Sequence, residues 1–231
     1  MTQSGRERAL YNSENMIDLH THTLLSDGEL LPLELARRAK VQGYTILGIS
    51  DHVDITTIEF VAAAILKLNK YAELHEGIKV VAGAELTHCP AKQIGDLTAV
   101  ARKLGFSYVV VHGETIAEPV EEGTNAAAIA AGVDILAHPG LITEKEVEEA
   151  KRRGVLLEIT ARKGHSLTNG HVAKLARSVG AKLVINTDSH SPSDLITDEQ
   201  ALRIVTGAGL GSDDFVTMQH NAEALIRKIT G

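Results

Sequence analysis

The chain has 231 residues, enough for one α/β domain, and 44% of them are hydrophobic while only 3% are aromatic, with no Trp. Net charge is −7, which argues against a broad electrostatic footprint for nucleic acid and leaves room only for a local basic pocket. A single cysteine, Cys89, excludes an intramolecular disulfide framework and fits a reducing compartment.

In chain order, residues 1–15 read as an N-terminal extension without an apolar core of the secretory type. The first apolar run is 16–22. Six more follow: "TILGISDH" (45–52), "KVVAGAELTH" (79–88), "YVVVHGE" (108–114), "DILAHPG" (134–140), "VLLEITA" (155–161) and "KLVINTDSH" (182–190). They are short and rich in Val, Ile and Leu, as strands buried on both faces are. Between them lie helical patterns at 32–42, 57–71, 91–104, 122–131, 143–153 and 169–179. Pro32 suits a first helical turn, Thr143 and Glu146 have capping-box spacing, and Gly43, Gly105, Gly132, Gly154 and Gly180 each follow a helical pattern. Residues 198–230 read as helices without a strong eighth strand. Strands alternating with helices predict βαβ units, a parallel sheet and a single barrel-like domain over 16–231, with a doubly wound open sheet as the rival. No apolar run reaches the roughly 18 residues of a membrane span. A cytoplasmic protein is expected.

The polar residues break the apolar pattern at one recurrent place. Alternate residues of a strand share a face, so His20 and His22 project together with Asp18 behind them, as do Asp188 and His190. His52, Glu85, His112 and His138 each come at the C-terminal end of an apolar run. In a parallel barrel these ends meet at one mouth. Burying so many polar groups without compensation costs several kcal/mol apiece, and cations remove that cost. Imidazole and carboxylate without thiolate suit Zn²⁺, Mn²⁺ or Fe²⁺. With Asp27, from the "SDG" turn, there are nine candidate ligands, too many for one ion and enough for two or three. Glu85 is the best bridging candidate, since a carboxylate has two oxygens. Arg162 and Lys163, with His165, follow the sixth strand near the same mouth. Arg162 is the first choice for a phosphate because its planar fork binds two oxygens at once. His88 stands at odd spacing from Glu85 and is expected on the opposite face. His75, His171 and His220 lie in helical patterns and are expected at the surface.

"DLHTHTLLSDG", "ISDH", "GAELTH", "VVVHGE", "ILAHPG" and "NTDSH" resemble, in order, the successive motifs of the PHP family, the polymerase and histidinol phosphatase domain. The resemblance spans about residues 16–192. It implies a distorted TIM-like (β/α)7 barrel with a trinuclear metal site. By position, His20 and His22 would hold one ion with Glu85 and Asp188. Asp27, His52 and His190 would hold a second, and Glu85 would bridge to a third completed by His112 and His138. Some members of the family have His where this chain has Asp27. Such a site implies phosphoester hydrolysis by attack of a metal-bound hydroxide on phosphorus, with no protein nucleophile. The leading reading is a phosphatase acting on a small phosphomonoester, similar to histidinol phosphatase. The alternative is a phosphodiesterase or exonuclease acting on nucleotides. Amidohydrolase barrels also open with His-x-His, but the paired Asp188 and His190 and the "SDH" of 50–52 favour the phosphoesterase. A non-enzymatic module that merely retains metals is the remaining reading.

Overall fold

The computed structural model describes residues 16–70 and 77–230. The expected N-terminal extension and His75 lie outside the described residues. Among the described residues there are eight parallel strands: β1 (Met16–Asp18), β2 (Tyr44–Ile49), β3 (His52–Val53), β4 (Lys79–Leu86), β5 (Tyr108–His112), β6 (Ile135–Ala137), β7 (Leu156–Thr160) and β8 (Leu183–Asn186). Seven follow one another in the order β1-β2-β4-β5-β6-β7-β8, while the two-residue β3 pairs beside β4. Helices α1 (Pro32–Val41), α2 (Ile58–Ile65), α3 (Ile94–Leu104), α4 (Thr124–Ala131), α5 (Glu144–Arg153) and α6 (Asn169–Val179) fall between strands, and α7 (Asp198–Gly207) and α8 (Ser212–Thr230) end the chain. Local chemistry sets several boundaries. Thr143 and Glu146 close the capping box that starts α5. α2 is shorter than its pattern predicts, because the chain tightens to a 3-10 turn at Leu66–Lys70.

The sheet closes into a barrel, which decides against an open doubly wound sheet. Near the mouth, Asp188 N donates to His20 O at 2.9 Å and His22 N to Ser189 O at 2.8 Å, joining the segments that extend β1 and β8. Lower down, α8 supplies the missing partners: Ile17 N donates to Gln219 Oε1 at 2.8 Å and Asn221 Nδ2 to Leu183 O at 2.9 Å. Two apolar cores result from strand alternation. The larger one, with Leu47, Ile49, Val109, Val111 and Ile159, lies between sheet and helices. The smaller one, with Val81, Tyr108, Val110, Ile135 and Val184, fills the barrel, and Ala222, Leu225 and Ile226 of α8 join it. Tyr108 fits only because two neighbouring strands carry glycine. A Cβ on Gly48 would meet its hydroxyl at 2.2 Å, and one on Gly83 its ring at 2.3 Å. Among the described residues no helix is long and apolar enough to cross a membrane.

Candidate metal centre

Each strand ends by delivering a polar side chain to the mouth of this packed interior. Along β5, Tyr108 and Val110 face inward, and two residues on His112 continues that face into the site. Glu85, next to last in β4, pairs in register with His52 of β3. His20 and His22 follow β1, where Asp18 anchors the turn. Its carboxylate accepts from His20 N at 3.0 Å and from Thr187 N at 3.2 Å, tying the start of the site to the end of β8. Asp27 is brought in by a tight turn, in which a Cβ on Gly28 would lie 2.5 Å from His22 O. Among the described residues the non-glycine positions with left-handed backbone are His88, His138 and Asp188, at φ 49°, 27° and 53°. All three stand at this mouth, where backbone strain is held by the surrounding structure.

All nine sequence-predicted ligand candidates come together. Glu85 is central: its Oε1 lies 3.2 Å from His20 Nε2, and its Oε2 lies 2.7 Å from His52 Nδ1 and 3.5 Å from His22 Nε2. Asp188 Oδ1 is 3.2 Å from His22 Nε2, and its Oδ2 is 3.6 Å from His138 Nε2. Asp27 Oδ1 stands 3.2 Å from His190 Nε2 and 3.5 Å from His52 Nε2. Ligand atoms of His22, Asp27, His52 and His190 lie within 4.8 Å of one another, as do those of His20, His22 and Glu85 and those of His112, His138 and His165. His22 therefore stands between two groups, its ring 4.2 Å from those of both His52 and His190.

The hydrogen bonds behind the rings set their orientation. His20 Nδ1 donates to Glu158 Oε2 at 2.8 Å, His190 Nδ1 to Asp188 O at 2.9 Å, and His112 Nδ1 to Gly113 O at 3.2 Å. Carbonyl and carboxylate oxygens only accept, so these Nδ1 atoms carry a proton and Nε2 is the nitrogen that each ring turns to the site. Burial lowers the His22, His112 and His138 imidazoles below their ordinary range, reinforced at His22 by His52 and at His138 by His112. Neutral imidazole is the form that binds a metal. Burial opposes charge on His20 too, but Glu85, Glu158 and Asp188 outweigh it and hold this imidazole well above its usual value. Burial also raises Asp188, to about 7, against the pull of His20. His20 Nε2, both nitrogens of His22 and of His138, and both oxygens of Glu85 are buried without a hydrogen-bond partner. These atoms stand within ion-pair distance of one another without well-formed hydrogen bonds, and divalent cations among them would satisfy oxygen and nitrogen lone pairs together. The donor set thus fits transition-metal ions.

Sequence reasoning missed Glu158, His88 and Glu118, and placed His165 near the mouth without counting it among the ligand candidates. Glu158 is fully buried, and besides His20 its Oε2 accepts from Asn186 Nδ2 at 2.8 Å. Its signal was a lone carboxylate inside the apolar run "VLLEITA". His165 is buried with its ring stacked 4.2 Å from that of His138. His88, expected on the opposite face, instead points to the mouth. The strand stops at Leu86 and a left-handed turn at His88 itself breaks the alternation, placing its Nε2 3.2 Å from Glu118 Oε2. Glu118 lies on the loop after β5. Arg162 sits at the rim with its Nη1 3.3 Å from Asp194 Oδ2, while Lys163 is exposed. His220 is exposed, as expected, whereas His171 is half-buried and donates from Nε2 to Ile142 O at 2.7 Å.

Known proteins share this arrangement of sequence and fold. An uncharacterised protein of Methanocaldococcus jannaschii is 47% identical over 218 residues, covering 92% of this chain and 99% of that one. A protein named a probable phosphatase in a Thermoanaerobacter species is 28% identical over 221 residues, 86% of this chain and 88% of its own. Among solved structures, one from archaeal ribonuclease P with mature tRNA shares the fold at a TM-score of 0.68 and 18% identity, covering 92% and 90% of the two chains. The histidinol phosphate phosphatase of Lactococcus lactis, solved with zinc, L-histidinol and phosphate, shares it at 0.55 and 16%, covering 92% and 93%. The family model for the PHP domain matches residues 18–160, more than half of the sequence, and this chain belongs to the PHP domain family.

Proposed function

We propose that this chain is a multinuclear metal-dependent phosphoesterase that hydrolyses a small phosphomonoester. The observation that carries the reading is the convergence of nine imidazoles and carboxylates on one mouth, with buried ligand atoms that make no well-formed hydrogen bond. The probable-phosphatase relatives and the zinc- and phosphate-bound neighbour from Lactococcus lactis support it.

Two or three ions of zinc, manganese or iron, when bound, supply Lewis acidity and an activated water. His20, His22, Glu85 and Asp188 would hold one ion. Asp27, His52 and His190 would hold a second, and His112 and His138 a third together with Glu85. The hydrogen bonds at Nδ1 fix ring orientation before any ligand arrives, which limits reorganisation during the reaction. Arg162 provides a cation at the rim for a phosphate oxygen, and Lys163 adds charge outside it. No protein nucleophile is required. Cys89 is buried behind the site, its Sγ facing the Val53 and Thr87 carbonyls, and burial pushes its thiol up to about 11.

The test compares p-nitrophenyl phosphate with its bis-ester on metal-loaded protein. Faster release from the monoester is expected; faster release from the diester replaces the proposal with the phosphodiesterase alternative. His20→Ala should lose metal and activity together. Full activity with a depleted metal content in that variant overturns the mechanism.

A further inference from the structure

On the β5–β7 side of the mouth, three imidazoles form a group without a carboxylate among them. His112, His138 and His165 are 3%, 2% and 6% exposed, and one nitrogen from each lies within 4.8 Å of the other two. The His165 ring stacks on His138 at an interplanar angle of 16° and stands edge-on to His112, with centroids 5.6 Å apart. Its Nδ1 is engaged by Thr115 Oγ1 at 2.7 Å, so its Nε2 is the nitrogen turned to the group. His112 is held in the same way through Nδ1, and neither nitrogen of His138 has a partner. Glu85, the bridging candidate, comes only within 3.9 Å of His138 Nε2. From outside, the half-exposed Glu118 places Oε2 3.3 Å from His112 Nε2 and Oε1 3.4 Å from His165 Nε2.

We propose that His165 is a metal ligand, joining His112 and His138 at the third position, whose open face receives a phosphate oxygen of the substrate. The second half of this statement rests on the phosphoesterase reading; the ligand assignment does not. Three protein ligands with one open position is the pattern of a catalytic rather than a structural site. Neutral imidazoles leave a divalent ion more of its charge than carboxylates do, and this corner has three of them, with Asp188 Oδ2 standing off at 3.6 Å from His138 Nε2 and 4.0 Å from His165 Nε2. The anionic phosphoryl group is therefore drawn to this corner. Glu118 occupies the same face as an exchangeable carboxylate on a loop, and the incoming phosphate displaces it.

Zinc content by elemental analysis, anomalous diffraction from zinc-loaded crystals and calorimetric titration with inorganic phosphate test the proposal on the full-length protein. His165→Ala should carry one equivalent of zinc fewer than wild type, and His165→Cys should restore it through a thiolate ligand. Glu118→Gln should keep all the zinc and bind phosphate several-fold tighter. A His165→Ala protein with the wild-type zinc content, or an anomalous map with no ion on His165 Nε2, overturns the ligand assignment. The map decides the question on wild-type protein should the alanine variant not fold. Phosphate bound no more tightly by Glu118→Gln overturns the role of the open face. If zinc leaves with His165 while no ester is hydrolysed by wild type, the site stands and the phosphoesterase reading falls. If wild type hydrolyses esters and His165→Ala keeps both zinc and rate, the reverse holds.

Discussion

Replacing Glu158 by alanine tests whether the carboxylate behind His20 organises the centre. Its Oε2 accepts two hydrogen bonds of 2.8 Å, from His20 Nδ1 and Asn186 Nδ2, and both partners are fully buried. Asn186 Oδ1 in turn accepts from Leu19 N at 2.9 Å, so the chain of bonds ties β7 and β8 to the seam at β1. Truncation strands two buried donors, at about 1–3 kcal/mol each, or about 2–6 kcal/mol of folding stability. Loss of the partner that orients a ligand lowers metal affinity roughly 10- to 100-fold, equivalent to about 1.4–2.8 kcal/mol. Zinc affinity by chelator competition and urea unfolding of the metal-free protein read the two effects separately. Glu158→Gln keeps an oxygen for both donors and should retain most of each. Wild-type zinc affinity and an unchanged urea midpoint in Glu158→Ala would show that this contact orients nothing.

Three further outcomes are expected. Arg162→Ala should lower kcat/KM about 10- to 100-fold, the worth of a charge-assisted hydrogen bond, with metal content unchanged; an unaltered kcat/KM reduces Arg162 to a partner of Asp194. Gly83→Ala drives a methyl into the Tyr108 ring, a contact of 2.3 Å, and should cost about 1–3 kcal/mol in urea unfolding, unless the ring has room to move. With its thiol raised to about 11 by burial, Cys89 should resist a thiol reagent at neutral pH in the native protein. It should react faster as pH rises or on unfolding; rapid labelling of native protein at neutral pH contradicts its burial.

Much of the fold was legible because it follows from local rules. Strand periodicity located all seven barrel strands, and α6 begins and ends where its pattern does, at Asn169 and Val179. Gly105, Gly132, Gly154 and Gly180 adopt the left-handed backbone expected after a helix, at φ 103°, 65°, 75° and 77°. The His-x-His and Asp-x-His pairs lie past the last strand residues, Asp18 and Asn186, with Asp188 left-handed at φ 53°, so their convergence rests on the turns that follow the strands and not on alternation alone. His88 escaped because alternation cannot be extended past a strand's last residue into a left-handed turn. Glu158 escaped because its partner, His20, is 138 residues away.

Sequence by itself determined the order of strands and helices, the apolar composition of both cores, and which residues end up at the C-terminal ends of strands. These depend on short-range backbone geometry and on side-chain polarity, and both can be read one element at a time. Only the tertiary structure decided that the sheet closes, that α8 completes the lower seam, and that His22 lies between two ligand groups. It alone brought Glu118, His165 and His88 from three separate loops around one opening. Contacts of this kind depend on distances across the closed barrel, which no spacing along the chain encodes.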